Sequence, residues 1–190
     1  MRLLISSLVL LALLIAVPRA TPDLLPESRA GGVRDISVTA TGLVTPLGEG
    51  LYTYKNVETR RGPQCVDYAE RFYVTHYPGT FPQYNSGPGA FDIWEGIAEG
   101  KDVGGWATHR RHFAAHENGT ALPKPDDMLL YDRTRGGGWG HIAIITEVYP
   151  DAVVILEQNS GYDTRRVLSL EGNRILDHGV KGVIRLKKND

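Results

Sequence analysis

The chain has 190 residues, of which 42% are hydrophobic and 23% are charged. This length fits one domain with a sizeable core, and the composition excludes a wholly disordered chain. The 21 basic and 22 acidic side chains give a formal net charge of −1, which excludes a strongly basic surface, so we expect no nucleic-acid partner.

The first residues have the pattern of an export signal. Met1 and Arg2 precede an uncharged apolar run over residues 3–17, which is short for a membrane span. Cleavage after Ala20 would put Pro18 at the minus-three position, where a small residue is usual. An uncleaved N-terminal anchor is therefore the alternative to a signal peptide.

We predict three segments: a signal peptide or anchor over residues 1–20, a flexible linker over 21–40 and one domain over 41–190. The domain is expected to be secreted or periplasmic, or else membrane-anchored and facing outside. In either case we expect no further integral membrane domain. Thiols outside the cytoplasm tend to be oxidised or paired.

Cys65 is the only cysteine of the chain. A single thiol in an exported protein is a buried small hydrophobe, half of an intermolecular disulfide or a reactive nucleophile. Pro63 suits the first turn of a helix, and apolar residues recur at helical spacing through CVDYAERFYV, residues 65–74. Cys65 is thus predicted at a helix N-terminus, where the helix dipole stabilises a thiolate. This position favours the nucleophile.

Five of the six histidines have simple structural interpretations. His76 and His178 are predicted on the surface. In HRRHFAAH, residues 109–116, three histidines fall on one face of a predicted helix. Zinc binding by this face is the alternative to a solvated surface, but Phe113 stands where the H-E-x-x-H pattern needs glutamate, so we expect no metal.

The sixth histidine, His141, begins a predicted β-hairpin. It opens a strand after the glycine-rich RTRGGGWG, and VVILEQNSGYD forms the second strand. Glu157 and Asn159 share a face of that second strand and both face His141 if the connecting loop has an odd length or a bulge. Glu147 is about 20 Å along the strand from His141 and is excluded as its partner. The pattern predicts a Cys–His pair oriented by a carboxylate or an amide.

Three motifs in this order, QCVDYAERF, DDMLLYDRTRGGGWGHIAIITEV and ILEQN, resemble the cysteine- and histidine-dependent amidohydrolase/peptidase (CHAP) family. Within it, they are most similar to the amidase domain of glutathionylspermidine synthetase/amidase. The similarity covers about residues 45–185. It implies an α+β, papain-like fold with N-terminal helices packed on an antiparallel sheet. One departure is Asp126, which stands in a turn where glycine is usual.

The resemblance also implies the catalytic residues: Cys65 as nucleophile, His141 as base, Glu157 as orienting group, and Asn159 near the third catalytic position. The reaction is hydrolysis of an amide through a cysteine acyl-enzyme, without metal or organic cofactor. The Cys65 N–H is expected in the oxyanion hole, with Gln64 a weaker candidate.

Two substrates fit this chemistry. Export favours the short peptides of peptidoglycan, whereas the resemblance favours a glutathione–polyamine conjugate. A non-catalytic wall-binding module that retains the fold is the alternative function, and we expect a monomer. Trp106, Trp139 and Tyr162 either line a cleft or belong to the core. Asn118 begins a glycosylation sequon, which matters only in a eukaryotic host.

Overall fold

A computed structural model describes residues 44–82, 89–161 and 163–188 of the chain. The predicted signal peptide or anchor, the predicted linker and Tyr162 lie outside the described residues. Among the residues that the structure describes, no helix combines the length and apolar character that crossing a bilayer requires.

The described chain forms ten strands and three short α-helices, with a π-helical turn at Glu95–Glu99 and a 3₁₀ turn at Gly136–Gly138. In chain order the elements are β1 (Val44–Gly48), β2 (Leu51–Tyr54), β3 (Val57–Glu58), α1 (Cys65–His76), α2 (Ala90–Trp94), α3 (Trp106–His109), β4 (Phe113–Glu117), β5 (Met128–Tyr131), β6 (His141–Val148), β7 (Ala152–Glu157), β8 (Arg165–Glu171), β9 (Arg174–Leu176) and β10 (Val180–Leu186).

The strands form two antiparallel sheets. A small sheet has the order β1-β2-β3, and a seven-stranded sheet has the order β4-β10-β5-β6-β7-β8-β9. The helices precede most of the large sheet along the chain, and α1 packs on β6 at its centre. The predicted α+β class, with N-terminal helices packed on an antiparallel sheet, is confirmed.

Both faces of the large sheet are covered. Successive residues of a strand point to opposite faces, so Met128 and Leu130 of β5 join the core beneath α1, whereas Leu129 and Tyr131 join a second core on the other face. The second core includes Leu168 of β8, because the outer strands of the curled sheet close over it. The central strands are therefore rigidly held from both sides.

Helix α1 buries the apolar stripe that its sequence pattern predicts. Val66, Ala69, Phe72 and Tyr73 are all buried in the core. Phe72 stacks on Tyr54 of β2 with ring centroids 5.6 Å apart, which joins the small sheet to the helix. The helix that begins with Cys65 is thus fixed against both sheets.

The prediction of a helix through residues 109–116 is wrong. Helix α3 ends at His109, and Phe113 begins β4, which pairs with β10 at the edge of the large sheet. Pairing with a neighbouring strand therefore overrides the local helical spacing of the histidines. In the described part of the chain, no three His, Cys, Asp or Glu side chains converge as a metal site requires.

Asp126, at the unusual turn position, ties the two sheets together. Its φ is 74°, in the left-handed region that glycine adopts without strain. Its carboxylate accepts hydrogen bonds from Tyr54 Oη at 2.8 Å and Tyr77 Oη at 2.6 Å, and pairs with Lys55 Nζ at 2.5 Å. Burial raises the pKa of Asp126, but these three donors lower it more, so the net direction is downward.

Asn118, in the sequon, uses its side-chain amide inside the fold. Its Nδ2 donates to the carbonyl oxygen of Ile175 at 3.0 Å, and the Ile175 N–H donates to its Oδ1 at 2.9 Å. Glycosylation at Nδ2 would compete with this link between β4 and β9.

Candidate active site

The thiol lies at the start of α1. Cys65 is the first residue of the helix, and the Asp67 carboxylate accepts a hydrogen bond from the Gln64 N–H at 2.6 Å, which caps the helix. Cys65 is half-buried and forms no disulfide. Its sulfur is therefore next to the unpaired N–H groups of the first helical turn, the environment that favours a thiolate.

The imidazole of His141 lies between the thiol and a carboxylate. His141 is the first residue of β6 and is buried. Its Nε2 is 2.9 Å from Glu157 Oε2, and its side chain is also hydrogen-bonded to Cys65. Because Nε2 is taken by Glu157, the Cys65 contact falls to Nδ1. The predicted nucleophile, base and orienting group therefore lie in one row.

Gly140 allows this approach. Its φ is 76°, and a Cβ added there would lie 2.7 Å from Phe91 Cβ and 2.8 Å from the carbonyl oxygen of Tyr131. Any side chain at this position would push β6 away from α2. The glycine before the histidine therefore has a packing reason besides its conformation.

A bulge in the hairpin aligns Glu157 with the histidine. The pairing Val148↔Val153 next to the turn would by itself place Glu157 opposite Ile144, but the register shifts between Ile145 and Glu147. As a result Glu157 pairs with Ala143, two residues from His141 on the same face. This diagonal placement brings the carboxylate to the imidazole edge.

The protonation states of His141 and Glu157 depend on each other. Burial lowers the pKa of His141, but the hydrogen bonds to Cys65 and Glu157 and their charges raise it more, to about 9. Burial raises the pKa of Glu157, but its hydrogen bond to His141 and the charges of His141 and Arg166 outweigh this, and its pKa is lowered. An imidazolium facing a carboxylate is therefore the favoured state at neutral pH.

Sequence reasoning missed a residue behind the carboxylate. The side chain of Glu157 is 0% exposed, and its Oε1 lies 3.3 Å from Arg166 Nη1 of β8. Arg166 Nη2 in turn pairs with Asp177 Oδ2 at 2.7 Å, and Asp177 also pairs with Arg135 at 2.9 Å. A signal was present: Arg166 shares one face of β8 with Leu168, and an arginine on an apolar face needs a buried partner.

The residues after Glu157 hold the start of α1. Gln158 Oε1 accepts a hydrogen bond from the Arg60 N–H at 2.8 Å, and its Nε2 donates to the carbonyl oxygen of Gln64 at 3.2 Å. Asn159, with a φ of 59°, donates from Nδ2 to Gln64 Oε1 at 2.9 Å. The structure thus places Asn159 on Gln64, whereas Glu157 contacts the imidazole.

A cleft of about 290 Å³ opens beside the thiol. Its lining joins the two ends of the predicted site to the glycine-rich loop and to the start of α2: Gln64, Cys65, Val66, Gly89, Ala90, Gly136, Trp139, Gly140, His141 and Asn159. Trp139 is 63% exposed there, whereas Trp106 is buried in the core. Of the two possibilities that the sequence left open, Trp139 therefore lines the cleft and Trp106 belongs to the core.

A helix carrying a cysteine, packed against an antiparallel sheet that carries a histidine, defines a papain-like α+β domain. The chain belongs to the CHAP domain family, because the model of this family matches residues 54–159, more than half of the chain. That match includes Cys65, His141, Glu157 and Asn159. Membership suggests an amidase, a peptidase or a cell-wall hydrolase. No curated protein matches the chain.

Proposed function

We propose that this protein is an exported, thiol-dependent hydrolase of peptide-like amide bonds. The single observation that carries the proposal is the position of His141, hydrogen-bonded to Cys65 and, through Nε2, to the buried carboxylate of Glu157. A base held in one orientation between a thiol and a carboxylate is what thiol-mediated acyl transfer requires.

The first half of the reaction forms an acyl-enzyme. His141 Nδ1 takes the thiol proton, and Cys65 Sγ attacks the carbonyl carbon to form a C–S bond. The imidazolium returns the proton to the amide nitrogen, the C–N bond breaks and the amine leaves. Glu157 stabilises the imidazolium and keeps Nδ1 directed at the sulfur.

The oxyanion that forms in this step needs hydrogen-bond donors. The Cys65 N–H, at the first position of α1, is one donor. Gln64 is supported as the second, because Asn159 occupies its Oε1 and so directs its Nε2 elsewhere. Asn159 would then act on the reaction by orienting Gln64.

The second half releases the acid. His141 removes a proton from water, the oxygen attacks the thioester carbon, and the C–S bond breaks to return the thiolate. In this proposal no metal or organic cofactor takes part. The substrates that fit are peptidoglycan peptides, which export favours, and glutathione–polyamine conjugates such as glutathionylspermidine.

Amine release tests the proposal. The purified full chain is incubated separately with peptidoglycan fragments and with glutathionylspermidine, and new primary amines are counted. We expect release from at least one substrate by the wild type and none by Cys65→Ser, whose circular dichroism spectrum should match that of the wild type. If neither substrate yields amines while the protein binds wall fragments, the protein is the alternative, a non-catalytic wall-binding module.

A further inference from the structure

We propose that Trp139 determines specificity, by stacking on a peptide plane next to the scissile amide, and that the cleft selects amides flanked by glycine or alanine. This inference rests on the proposed function, because it takes Cys65 as the reacting thiol. It names the chemistry of the groups on either side of the bond that is cleaved.

Trp139 is an exposed residue of the cleft lining. Among the described residues, Trp139 at 63% is the most exposed of the large hydrophobic side chains, the others being at most 50% exposed. It lines the cleft that contains Cys65 and His141. Covering an exposed aromatic ring with a ligand lowers the free energy of the complex, because apolar surface is removed from water.

The backbone beneath this ring is fixed. The Phe91 N–H donates a hydrogen bond to the carbonyl oxygen of Trp139 at 3.0 Å. Gly89 packs so closely that an added Cβ would lie 2.5 Å from that oxygen and 2.9 Å from Trp139 Cβ. The ring is therefore presented from a rigid base, which limits the entropy lost when a ligand binds.

The described part of the wall beside Trp139 consists mostly of glycine and alanine. Gly89, Ala90, Gly136 and Gly140 line the cleft beside Trp139. At Gly136 an added Cβ would meet no atom closer than 4.0 Å, so the absence of a side chain there leaves open space. A wall without side chains lets the backbone of an extended peptide come close.

Among the described residues, the remaining lining is uncharged apart from the Cys65–His141 pair. Gln64 and Asn159 offer amides, and Val66 offers an apolar surface. A neutral peptide loses little solvation on entering such a cleft, whereas a charged side chain would lose its water without an ionic partner from these residues. A bulky side chain would meet the indole. Small, uncharged residues next to the scissile bond therefore fit best.

The first experiment measures contact with the ring directly. The full-length Cys65→Ala variant is titrated with acetyl-Ala-Gly-Ala-amide while iodide quenches tryptophan fluorescence. Because Trp94 and Trp106 are 2% and 1% exposed, the iodide-quenched emission comes from Trp139. We expect the peptide to protect this emission, and acetyl-Phe-Glu-Phe-amide to protect it about tenfold less well. Equal protection by both peptides, or none by either, overturns the inference.

The second experiment measures the consequence at the thiol. Acetyl-Ala-Gly-Ala-amide is used to slow alkylation of Cys65 by iodoacetamide. In Trp139→Ala we expect about tenfold weaker protection, or about 1.4 kcal/mol, with the unprotected alkylation rate unchanged within about twofold. Trp139→Phe should retain most of the protection. Leu122→Ala, which removes a half-exposed leucine outside the cleft lining, is the matched control and should behave as wild type.

The outcomes separate the two proposals. If Trp139→Ala protects as well as wild type, the stacking role is wrong although Cys65 still reacts. If it slows alkylation itself by tenfold or more, Trp139 acts on the thiol and the specificity role is equally wrong. If wild-type Cys65 resists iodoacetamide altogether, the proposed hydrolase fails, and the iodide experiment alone then decides whether the ring binds peptides.

Discussion

Replacing Glu157 with glutamine should reverse the tautomer of His141. The Glu157 carboxylate presents one oxygen to His141 Nε2 at 2.9 Å and the other to Arg166 Nη1 at 3.3 Å. Glutamine has one oxygen and one NH₂ group. Because the guanidinium carries only donors, the oxygen of Glu157→Gln will face Arg166 and the NH₂ will face the imidazole. The imidazole then accepts at Nε2 and carries its proton on Nδ1, where it cannot take the proton of Cys65.

The size of the effect follows from the pKa of His141. Its value of about 9, against an ordinary value of 6.5, corresponds to roughly 3–4 kcal/mol at about 1.4 kcal/mol per pH unit. Cys65 and Glu157 share this stabilisation of the imidazolium. Removing the carboxylate charge should therefore lower the pKa of His141 by about one to two pH units. We expect turnover to fall by roughly 10² to 10⁴, and the alkaline limb of the pH profile to move to lower pH.

Histidine NMR checks this without a substrate. Long-range ¹H–¹⁵N spectra report which ring nitrogen carries the proton, and His141→Ala identifies the His141 signals. Wild type should titrate near pH 9, and Glu157→Gln nearer 7, with the neutral form protonated on Nδ1. A proton that stays on Nε2, or a pKa that stays near 9, refutes the reasoning.

A double variant tests the cause. In Glu157→Gln combined with Arg166→Met, the guanidinium no longer holds the amide oxygen on the β8 side, and the hydrogen bond to Ser160 is the contact that remains besides the imidazole. The oxygen can then turn to accept from Nε2–H. The tautomer should revert and part of the lost activity should return. Asp177 keeps Arg135 as a partner at 2.9 Å, which limits the damage from removing Arg166. A double variant with the Nδ1–H tautomer contradicts the assigned role of Arg166.

The remaining predictions concern four residues. Iodoacetamide should alkylate Cys65 much faster than an ordinary thiol at about pH 6, and Cys65→Ser should abolish turnover without changing the circular dichroism spectrum; activity within tenfold of wild type rules out the thiol mechanism. His141→Ala should cost about as much turnover as Cys65→Ser, because the two act as one unit. Asn159→Ala should lower kcat and leave the pKa of His141 near 9 by NMR, since its contact is with the oxyanion side; a lowered pKa assigns it to the imidazole. Asp126→Gly should lower the free energy of unfolding in urea by about 1–3 kcal/mol despite relieving backbone strain, and Asp126→Asn should lower it by less. Because the folded-state pKa of Asp126 is lowered, the extra stability of the wild type should be present above about pH 4 and disappear as the pH falls further. An unchanged urea midpoint contradicts the role of Asp126 in joining the two sheets.

The elements that carry the proposed reacting groups could be predicted because each has a strong local pattern. The helix from Cys65 shows its apolar residues at helical spacing, and the two strands of the hairpin are rich in Ile and Val. An odd-length loop or a bulge was the stated condition for Glu157 to face His141, and the bulge between Ile145 and Glu147 meets it. Local pattern was enough for these elements because their pairing is between neighbours in sequence.

What the sequence did not reveal depends on contacts between distant segments. The histidines of residues 109–116 have helical spacing, but residues from Phe113 onward pair with β10, which lies more than sixty residues later in the chain. Arg166 was overlooked because its partner Glu157 lies on another strand. The alternation of residues in β8 was nevertheless enough to place Arg166 on the apolar face of that strand. The division between Asn159 on Gln64 and Glu157 on His141 required the turn after β7, where Asn159 adopts a positive φ.

The single cysteine also determines how the protein is inactivated by oxidation. A thiolate outside the cytoplasm is open to oxidation, and its first product is a sulfenic acid. Enzymes that survive this step commonly use a neighbouring thiol to trap the sulfenic acid as a disulfide, but these 190 residues contain one cysteine. Cys65 must therefore be rescued by a small thiol from solution or proceed to the irreversible sulfinic acid. For the exported hydrolase proposed above, the redox state of the surroundings then sets the working life of the protein.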